Sequence, residues 1–332
     1  MHVLIADKVE RELIDALEAG GCTVTCQPEL EGDAIAAVLN EHASGALIVR
    51  STKVREPVLA AAPDSLRLIV RAGAGYDNID HAFAAMREIS VCNCPGMNAV
   101  AVAELAMGHL IALDRRLVEQ TNEMRAGHWF KKEYAKARGL KGRELLVVGT
   151  GAIGFEVIRR AQAFDMRVSA QSRSLTESRA RALNIGWVEY TREALLAALP
   201  RFDAVSIHVA ATDHTRDMCD RAFFGAMKLG AMFVNTSRGE IVVEDDLVEA
   251  VSAGRIRAGV DVYRGQPASK DEAWETPLAK APGMVLTHHV GASTDQAQLA
   301  VAEEAARIIL KYKDTGRADH CVNGVGGSAV SA

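Results

Sequence analysis

What this 332-residue chain lacks narrows its reading first. No apolar run approaches the ~20 residues a bilayer-spanning helix needs, so no membrane association is expected. Neither sign of charge dominates: 38 Lys and Arg stand against 43 Asp and Glu, a net charge of -5. Without a basic surplus, nucleic acid is not an expected partner. The start, MHVLIADKVE, has a short apolar stretch with acids directly after it, and reads as a first strand rather than an export signal. The six cysteines (Cys22, Cys26, Cys92, Cys94, Cys219 and Cys321) form no C-x-x-C pair and have no matching His cluster, so no metal site is expected. In strand-like surroundings such cysteines serve as small buried apolar residues, and a reducing cytoplasmic setting is expected. No short-period repeat occurs. One biased segment, the Gly/Ser/Ala tail after Asn323, is expected to fray.

What is present is the composition of an ordinary soluble globular protein, long enough for two domains. Short apolar strands alternate with Ala-rich amphipathic helices. HVLIA (2–6) precedes a helix over 9–19, GALIVR (45–50) a loop and helix, and LRLIVRAG (66–73) a helix near 80–87; ISVCNCP (89–95) follows. A second series starts at RELLVVGTGAIG (143–154), runs through MRVSAQSRS, FDAVSIHVA, AMFVNTSRG, IRAGVDVY and MVLTHHVG, and ends in a helix over 294–312. Such alternation requires parallel sheets with helices on both faces: an α/β protein of two doubly wound, Rossmann- or flavodoxin-like domains. Between the series, a helix over about 98–117 is apolar on several faces and should be buried or lie at an interface. The last helix must return after the second sheet closes, so a dinucleotide-binding domain over 98–292 is expected as an insertion into a substrate domain of 1–97 and 293–332.

VVGTGAIG places Gly149, Gly151 and Gly154 after an apolar strand and at the head of a helix. A tight turn, close backbone approach and a helix N-terminus aimed at a pyrophosphate need that context. An NAD site carries an acid about 20 residues further on, at the end of the second strand, for the ribose 2′-hydroxyl. Here that strand ends in Gln171, Ser172 and Arg173, and Asp165 lies before it. The missing acid removes repulsion toward a 2′-phosphate, and Arg173 offers a planar cation, which favours NADP over NAD. Alternatively, Arg173 covers the adenine in an NAD site.

The segments LIVRSTKV (47–54), VRAGAGYDNID (70–80), NCPGMNAVAVAEL (93–105), VGTGAIG (148–154), VNTSRGEIVVEDDLVEAV (234–251), AGVDVY (258–263) and HVGASTDQAQ (289–298) together resemble the D-isomer-specific 2-hydroxyacid dehydrogenases, most of all their phosphoglycerate dehydrogenases. The resemblance implies an inserted cofactor domain, a homodimer built through the 98–117 region, and a site in the interdomain cleft. Regulatory domains of some phosphoglycerate dehydrogenases would have no room here. It makes Arg238 the catalytic arginine and His289 the acid/base, with His288 a bystander in place of a customary proline. An arginine fork suits a 2-oxo acid's carboxylate, and imidazole titrates near neutrality. Backbone N–H groups around Ala74 and Gly75 would bind carboxylate too. Ala152 and Ile153 would lie on the pyrophosphate, and Thr236, Ser237 and Asp261 along the nicotinamide ribose. Val209, Gly291 and Ala292 would complete the cofactor contacts.

Gln266 stands where these dehydrogenases carry the glutamate that pairs with the histidine. Gln can accept the same ring N–H but brings no charge. At roughly 4 Å and an effective dielectric of about 20, the lost attraction is about 4 kcal/mol before screening, so His289 should protonate at lower pH. One branch of the family, formate dehydrogenase, uses Gln with His where no proton moves. DVYRGQPASKDEAW is similar to that branch, and Asn98 falls where its substrate asparagine lies. VRSTKV (49–54) points the other way, since Arg50, Ser51 and Arg71 would meet a larger anion and the branch's aromatic N-terminal insert is absent. A third alternative is a nucleotide-sensing, corepressor-like scaffold without enzyme activity.

Overall fold

An apolar run of four or five residues satisfies its backbone only by pairing, and here the runs pair into two parallel sheets. The computed structural model describes residues 1–267 and 272–325. The chain divides into two compact units, Met1–Asn98 with Ser293–Ala332 and Ala99–Ala292.

The first unit holds β1 (His2–Ile5), β2 (Thr23–Cys26), β3 (Ala46–Val49), β4 (Leu68–Arg71) and β5 (Ser90–Asn93), in the order β2-β1-β3-β4-β5. Its early helices are α1 (Arg11–Ala19), α2 (Asp33–Glu41), α3 (Glu56–Ala61) and α4 (His81–Met86). Successive side chains of a strand point to opposite faces, so both faces of the central strands must be apolar. Val3, Ile5, Ile48 and Val70 pack with Leu13 and Leu17 of α1 on one face; Leu4, Leu47, Val49 and Ile69 pack with Ile35 and Leu39 of α2 on the other.

The second unit holds β6 (Glu144–Val148), β7 (Arg167–Gln171), β8 (Gly186–Trp187), β9 (Ala204–Ile207), β10 (Ala231–Asn235), β11 (Ile256–Val260) and β12 (Met284–Leu286), in the order β12-β11-β10-β9-β6-β7-β8. Its helices are α5 (Ala99–Arg115), α6 (Leu117–Arg125), α7 (Lys131–Tyr134), α8 (Ala152–Ala163), α9 (Glu177–Ala182), α10 (Arg192–Ala198), α11 (Arg221–Ala226) and α12 (Glu244–Ser252). The single helix expected over 98–117 ends early, because Arg116 adopts a left-handed conformation (φ 52, ψ 47) and α6 starts afresh. Within the unit α5 packs against α8, β10 and β11, which explains apolar residues on several of its faces.

The chain returns to the first unit through α13 (Asp295–Thr315), whose N-cap Thr294 accepts from the Ala297 N–H. Beyond it, the segment around 319–325 runs antiparallel to β5. The Val322 N–H donates to the Val91 carbonyl at 2.8 Å, and the Asn323 carboxamide accepts from the Val91 N–H while donating to the Ile89 carbonyl. An edge strand that would stand open is thereby covered. The fraying expected after Asn323 falls, from residue 326 onward, outside the described residues.

Asn323→Ala should leave the Val91 N–H and the Ile89 carbonyl unpaired at this edge. A stability loss of about 1–3 kcal/mol is expected, read from the denaturant midpoint at unchanged m.

Candidate active site

In an open α/β sheet, ligands bind beyond the carboxyl ends of the strands, where the strand order reverses. In the second unit that point lies between β6 and β9. Gly149, with φ +100, ends β6, and a Cβ there would meet the His208 carbonyl oxygen at 2.2 Å. A Cβ on Gly154 would sit 2.0 Å from the Gly149 carbonyl oxygen, so the loop and α8 close up only with glycine at both positions. A Cβ on Gly151 would meet nothing within 4 Å, and the α8 N-cap at that residue has no side-chain partner. The head of α8, with Ala152 and Ile153 in its first turn, thus keeps free N–H groups beneath open space, as a pyrophosphate requires.

At the end of β7, Gln171 is buried and its amide donates to the carbonyls of Glu189 and Thr191 at 2.6 and 3.0 Å. It fastens the next loop and leaves Ser172 and Arg173 beyond the strand, Arg173 exposed. Sequence reasoning missed Arg179 nearby. Its guanidinium donates to the Ser174 carbonyl at 3.0 Å and lines a cavity with Thr150, Phe155 and Leu175. Val209 follows β9 and packs against Gly149. His208, also missed, has Nε2 2.8 Å from the Ser206 hydroxyl and a buried Nδ1 with no partner among the described residues; burial pushes its pKa down to about 3.

The ends of β10, β11 and β12 are neighbours, and they carry the remaining candidates. Asn235, fully buried, accepts from the Ser237 N–H and hydroxyl and donates to the Arg238 carbonyl, which folds the Thr236-Ser237-Arg238 turn. The Ser237 hydroxyl proton is used inside that turn. The Thr236 hydroxyl is buried without a partner among the described residues. A Cβ on Gly239 would lie 2.1 Å from the Tyr263 carbonyl carbon, so the Arg238 turn packs directly on the loop that carries Gln266.

That loop meets His289. Gln266 Nε2 lies 2.5 Å from His289 Nδ1, and Gln266 Oε1 accepts from the Tyr263 N–H at 3.2 Å. A backbone N–H can only donate, so the amide orientation is set: oxygen toward Tyr263, nitrogen toward the ring. Gln266 therefore donates to the histidine, where the sequence suggested that it accepts. Nδ1 must be the unprotonated nitrogen, and neutral His289 carries its proton on Nε2. His289 has a left-handed backbone, φ +54. His288 takes no part in that bond.

Asp261, expected along the nicotinamide ribose, is committed elsewhere. It is 1% exposed; Oδ1 accepts from the Thr287 hydroxyl at 2.6 Å and the Val290 N–H at 2.9 Å, and Oδ2 from the Gly291 N–H at 2.8 Å. Its oxygens hold the turn that carries His289, Gly291 and Ala292. Behind it, His109 of α5 shares a 3.2 Å bond with the Thr287 hydroxyl, and burial lowers the His109 pKa.

The first unit holds the other candidates at the carboxyl ends of its own strands. Asp7 Oδ2 accepts from the N–H groups of Arg50, Ser51 and Thr52, and Oδ1 from the Ser51 hydroxyl at 2.9 Å. Ser51 has therefore no proton left for an anion. The Arg50 guanidinium donates to Gln298 of α13 at 2.9 Å. The Arg71 guanidinium fills the space where a Cβ on Gly73 would be, in the loop leading to Ala74 and Gly75, and the Asn93 amide holds that loop through the Ala74 carbonyl at 2.6 Å. The Asn98 side-chain oxygen is buried without a hydrogen-bond partner among the described residues. Among the described residues no group of His, Cys, Asp and Glu could hold a metal, and no helix is long and apolar enough to cross a membrane.

The family model described as D-isomer specific 2-hydroxyacid dehydrogenase, NAD binding domain, matches residues 107–291. The D-3-phosphoglycerate dehydrogenase of Archaeoglobus fulgidus is 35% identical over 312 residues, 93% of this chain and 57% of that protein. The chain thus spans little more than half the length of that relative. The hydroxypyruvate reductase of Thermotoga maritima is also 35% identical over 312 residues, 93% of this chain and 97% of that one. Among solved structures, the TT0316 protein of Thermus thermophilus superposes with a TM-score of 0.84 at 29% identity, over 97% of this chain and 100% of the other.

Replacing Asp261 by asparagine would turn a donor toward the Val290 or Gly291 N–H. Asp261→Asn should lose about 1.5–3 kcal/mol of stability, as expected when charged acceptors are lost, and loosen the turn around His289. Equilibrium denaturation together with hydrogen exchange at Val290 and Gly291 measures both.

Proposed function

The chain belongs to the D-isomer specific 2-hydroxyacid dehydrogenase family, and from that membership we propose that it interconverts a small anionic D-2-hydroxy acid and its 2-oxo acid. The observation that carries the reading is that three neighbouring strand ends deliver Arg238, Gln266 and His289 to one edge of the sheet that bears the glycine loop. A nicotinamide dinucleotide fits that edge. Gly149, Gly151 and Ala152 with Ile153 and Gly154 would hold its pyrophosphate, and the unpaired Thr236 hydroxyl would meet its ribose. Hydride exchange is the chemistry such a cofactor supplies when bound.

The residues of the chain supply the rest. The Arg238 fork pairs with the substrate carboxylate and draws charge from the adjacent carbonyl. During reduction His289 would act as imidazolium, giving its Nε2 proton to the developing alkoxide and keeping Nδ1–H. During oxidation the Nδ1–H ring would take the proton back at Nε2, and both forms call for the Gln266 amide oxygen, rather than its nitrogen, to face Nδ1. Arg50 and Arg71 are the proposed contacts of a further anionic group. This favours 3-phosphoglycerate and phosphohydroxypyruvate, or hydroxypyruvate, in line with the names of the relatives. NADP is the proposed cofactor, read by Arg173 with Ser172; the two-domain division, the homodimer and a cytoplasmic setting belong to the same proposal.

One observation favours a second reading, formate oxidation. An imidazolium would point Nδ1–H at the donor face of the Gln266 amide, and turning the amide over would break its bond to the Tyr263 N–H. The pair suits a histidine that stays neutral, and formate oxidation moves no proton. A panel of NAD and NADP with formate, phosphohydroxypyruvate, hydroxypyruvate and glyoxylate separates the two. A chain that bound cofactor and turned over none of the acids would instead be a scaffold.

Arg173→Ala should weaken NADP(H) roughly tenfold to a hundredfold, the worth of a charge-assisted bond of about 1.5–3 kcal/mol, and NAD(H) far less. Cofactor Kd values for both proteins measure this, and equal losses would remove Arg173 from the reading.

Gln266→Glu tests the chemistry. A carboxylate can accept from the Tyr263 N–H and from Nδ1–H together, so it raises the His289 pKa. A raised pKa keeps imidazolium present to higher pH, and the reductive limb of kcat/KM should extend upward. If formate is the substrate, the added charge repels it and kcat/KM falls at every pH.

A further inference from the structure

Among the buried thiols, two face each other. Cys92 of β5 and Cys321 of the C-terminal segment form an antiparallel bridge. The flanking bonds run from the Val322 N–H to the Val91 carbonyl at 2.8 Å and from the Asn93 N–H to the His320 carbonyl at 3.3 Å. The cysteines exchange no backbone bond themselves, so they occupy a non-hydrogen-bonded pair, the register that brings opposed side chains closest. Cα atoms there lie about 4.5 Å apart, within the ~4.4–6.8 Å range in which disulfides close. The Cys321 thiol donates to the Val325 carbonyl at 2.9 Å and lies 3.2 Å from the Asn323 side-chain oxygen, opposite the fully buried Cys92.

We propose that Cys92 and Cys321 are a site of reversible disulfide formation, which fastens the C-terminal segment across the edge of β5. The oxidant is a small-molecule disulfide, RSSR. The Cys321 thiolate attacks one of its sulfurs; the S–S bond breaks and RS⁻ leaves, taking up the proton that Cys321 lost. Cys92 then loses its proton and attacks the Cys321 sulfur of the mixed disulfide, expelling the second RSH. Two protein thiols are oxidised and one small disulfide is reduced to two thiols.

The order of attack follows from the surroundings. Cys321 is 5% exposed and Cys92 0%, so Cys321 is the one an oxidant meets first. The adjacent Cys92 thiol lowers the Cys321 pKa to about 6 against the cost of burial, while the adjacent Cys321 and burial push Cys92 far up. The segment that carries Cys321 is tied both to α13 and, through Asn323 and Val325, to β5 and its surroundings. Asp319 pairs with Arg307 and Lys311, His320 with Glu304, and the Ser90 hydroxyl donates to the Val325 carbonyl. Cys321 is buried, so the oxidant reaches it as the 319–325 segment parts from β5 in a local opening.

The test uses the full chain in graded hydroxyethyl disulfide and mercaptoethanol buffers, followed by alkylation and peptide mapping. A linked Cys92–Cys321 peptide that dithiothreitol separates is expected, with protease cleavage of the C-terminal segment at least about tenfold slower in the linked form. Cys92→Ala should stop at a mixed disulfide on Cys321, and Cys321→Ala should leave Cys92 unmodified. The proposal is overturned if both thiols remain free at a poise that fully converts the exposed Cys26, or if either links to Cys94 instead. Should a variant fail to fold, mapping of the unsubstituted chain decides alone.

Discussion

The candidate active edge depends on one buried carboxylate. A charge that is 1% exposed is tolerated only when its lone pairs are met, and Asp261 meets them with the Thr287 hydroxyl and the N–H groups of Val290 and Gly291. These donors belong to a single turn, and His289 sits inside it. The bonds have a direction. Thr287 must give its proton to Asp261, so its oxygen can only accept from His109 Nε2–H, which burial keeps available as a neutral donor. A relay from α5 to the end of β11 thus fixes the turn after β12 without touching the imidazole itself.

The two ends of the same sheet treat polar groups differently. At its amino end, Arg143 donates to Asp114 at 2.9 Å, and Asp203 takes Lys228 at 2.7 Å and the Glu144 N–H at 3.1 Å. The buried Asp114, Arg143 and Asp203 are paired there, although Arg143 Nε has no hydrogen-bond partner among the described residues. At the carboxyl end, the Thr236 hydroxyl and His208 Nδ1 are buried without partners among the described residues, and the Gly151 face is open. Buried groups left unsatisfied cost about 1–3 kcal/mol each, a cost that a bound molecule can remove.

Much of this was legible in the sequence because it rests on local pattern. The alternation of apolar strands and helices gives both sheets, and the spacing of Gly149, Gly151 and Gly154 gives the loop under open space. Edge elements were harder. The edge strand β2, TVTC, is four residues long and half exposed, so it carries no apolar run to read. The pairing of Cys92 with Cys321 joins residues more than two hundred apart, which no local pattern encodes. The roles of side chains were least legible where a backbone group decides them. Gln266 donates rather than accepts because the Tyr263 N–H claims its oxygen, and Asp261 turns inward because Val290 and Gly291 offer N–H groups. Residue type alone carries neither fact.

The first unit repeats the device of the second. Three successive N–H groups, those of Arg50, Ser51 and Thr52, converge at the end of β3, the kind of concavity that captures anions. Asp7 already occupies it, 3% exposed, from the end of the neighbouring β1. The backbone there is taken up by a protein carboxylate, so an external anion would find only side chains. Ser51 has given its proton to the same acid, which leaves the Arg50 guanidinium, aimed by Gln298. A guanidinium with one N–H tied to an amide keeps donors for a planar or tetrahedral oxyanion in a fixed direction. In both units, then, a buried acid at a strand end holds a loop still, and the loop presents one nitrogen-bearing side chain, Arg50 or His289, whose orientation a glutamine completes.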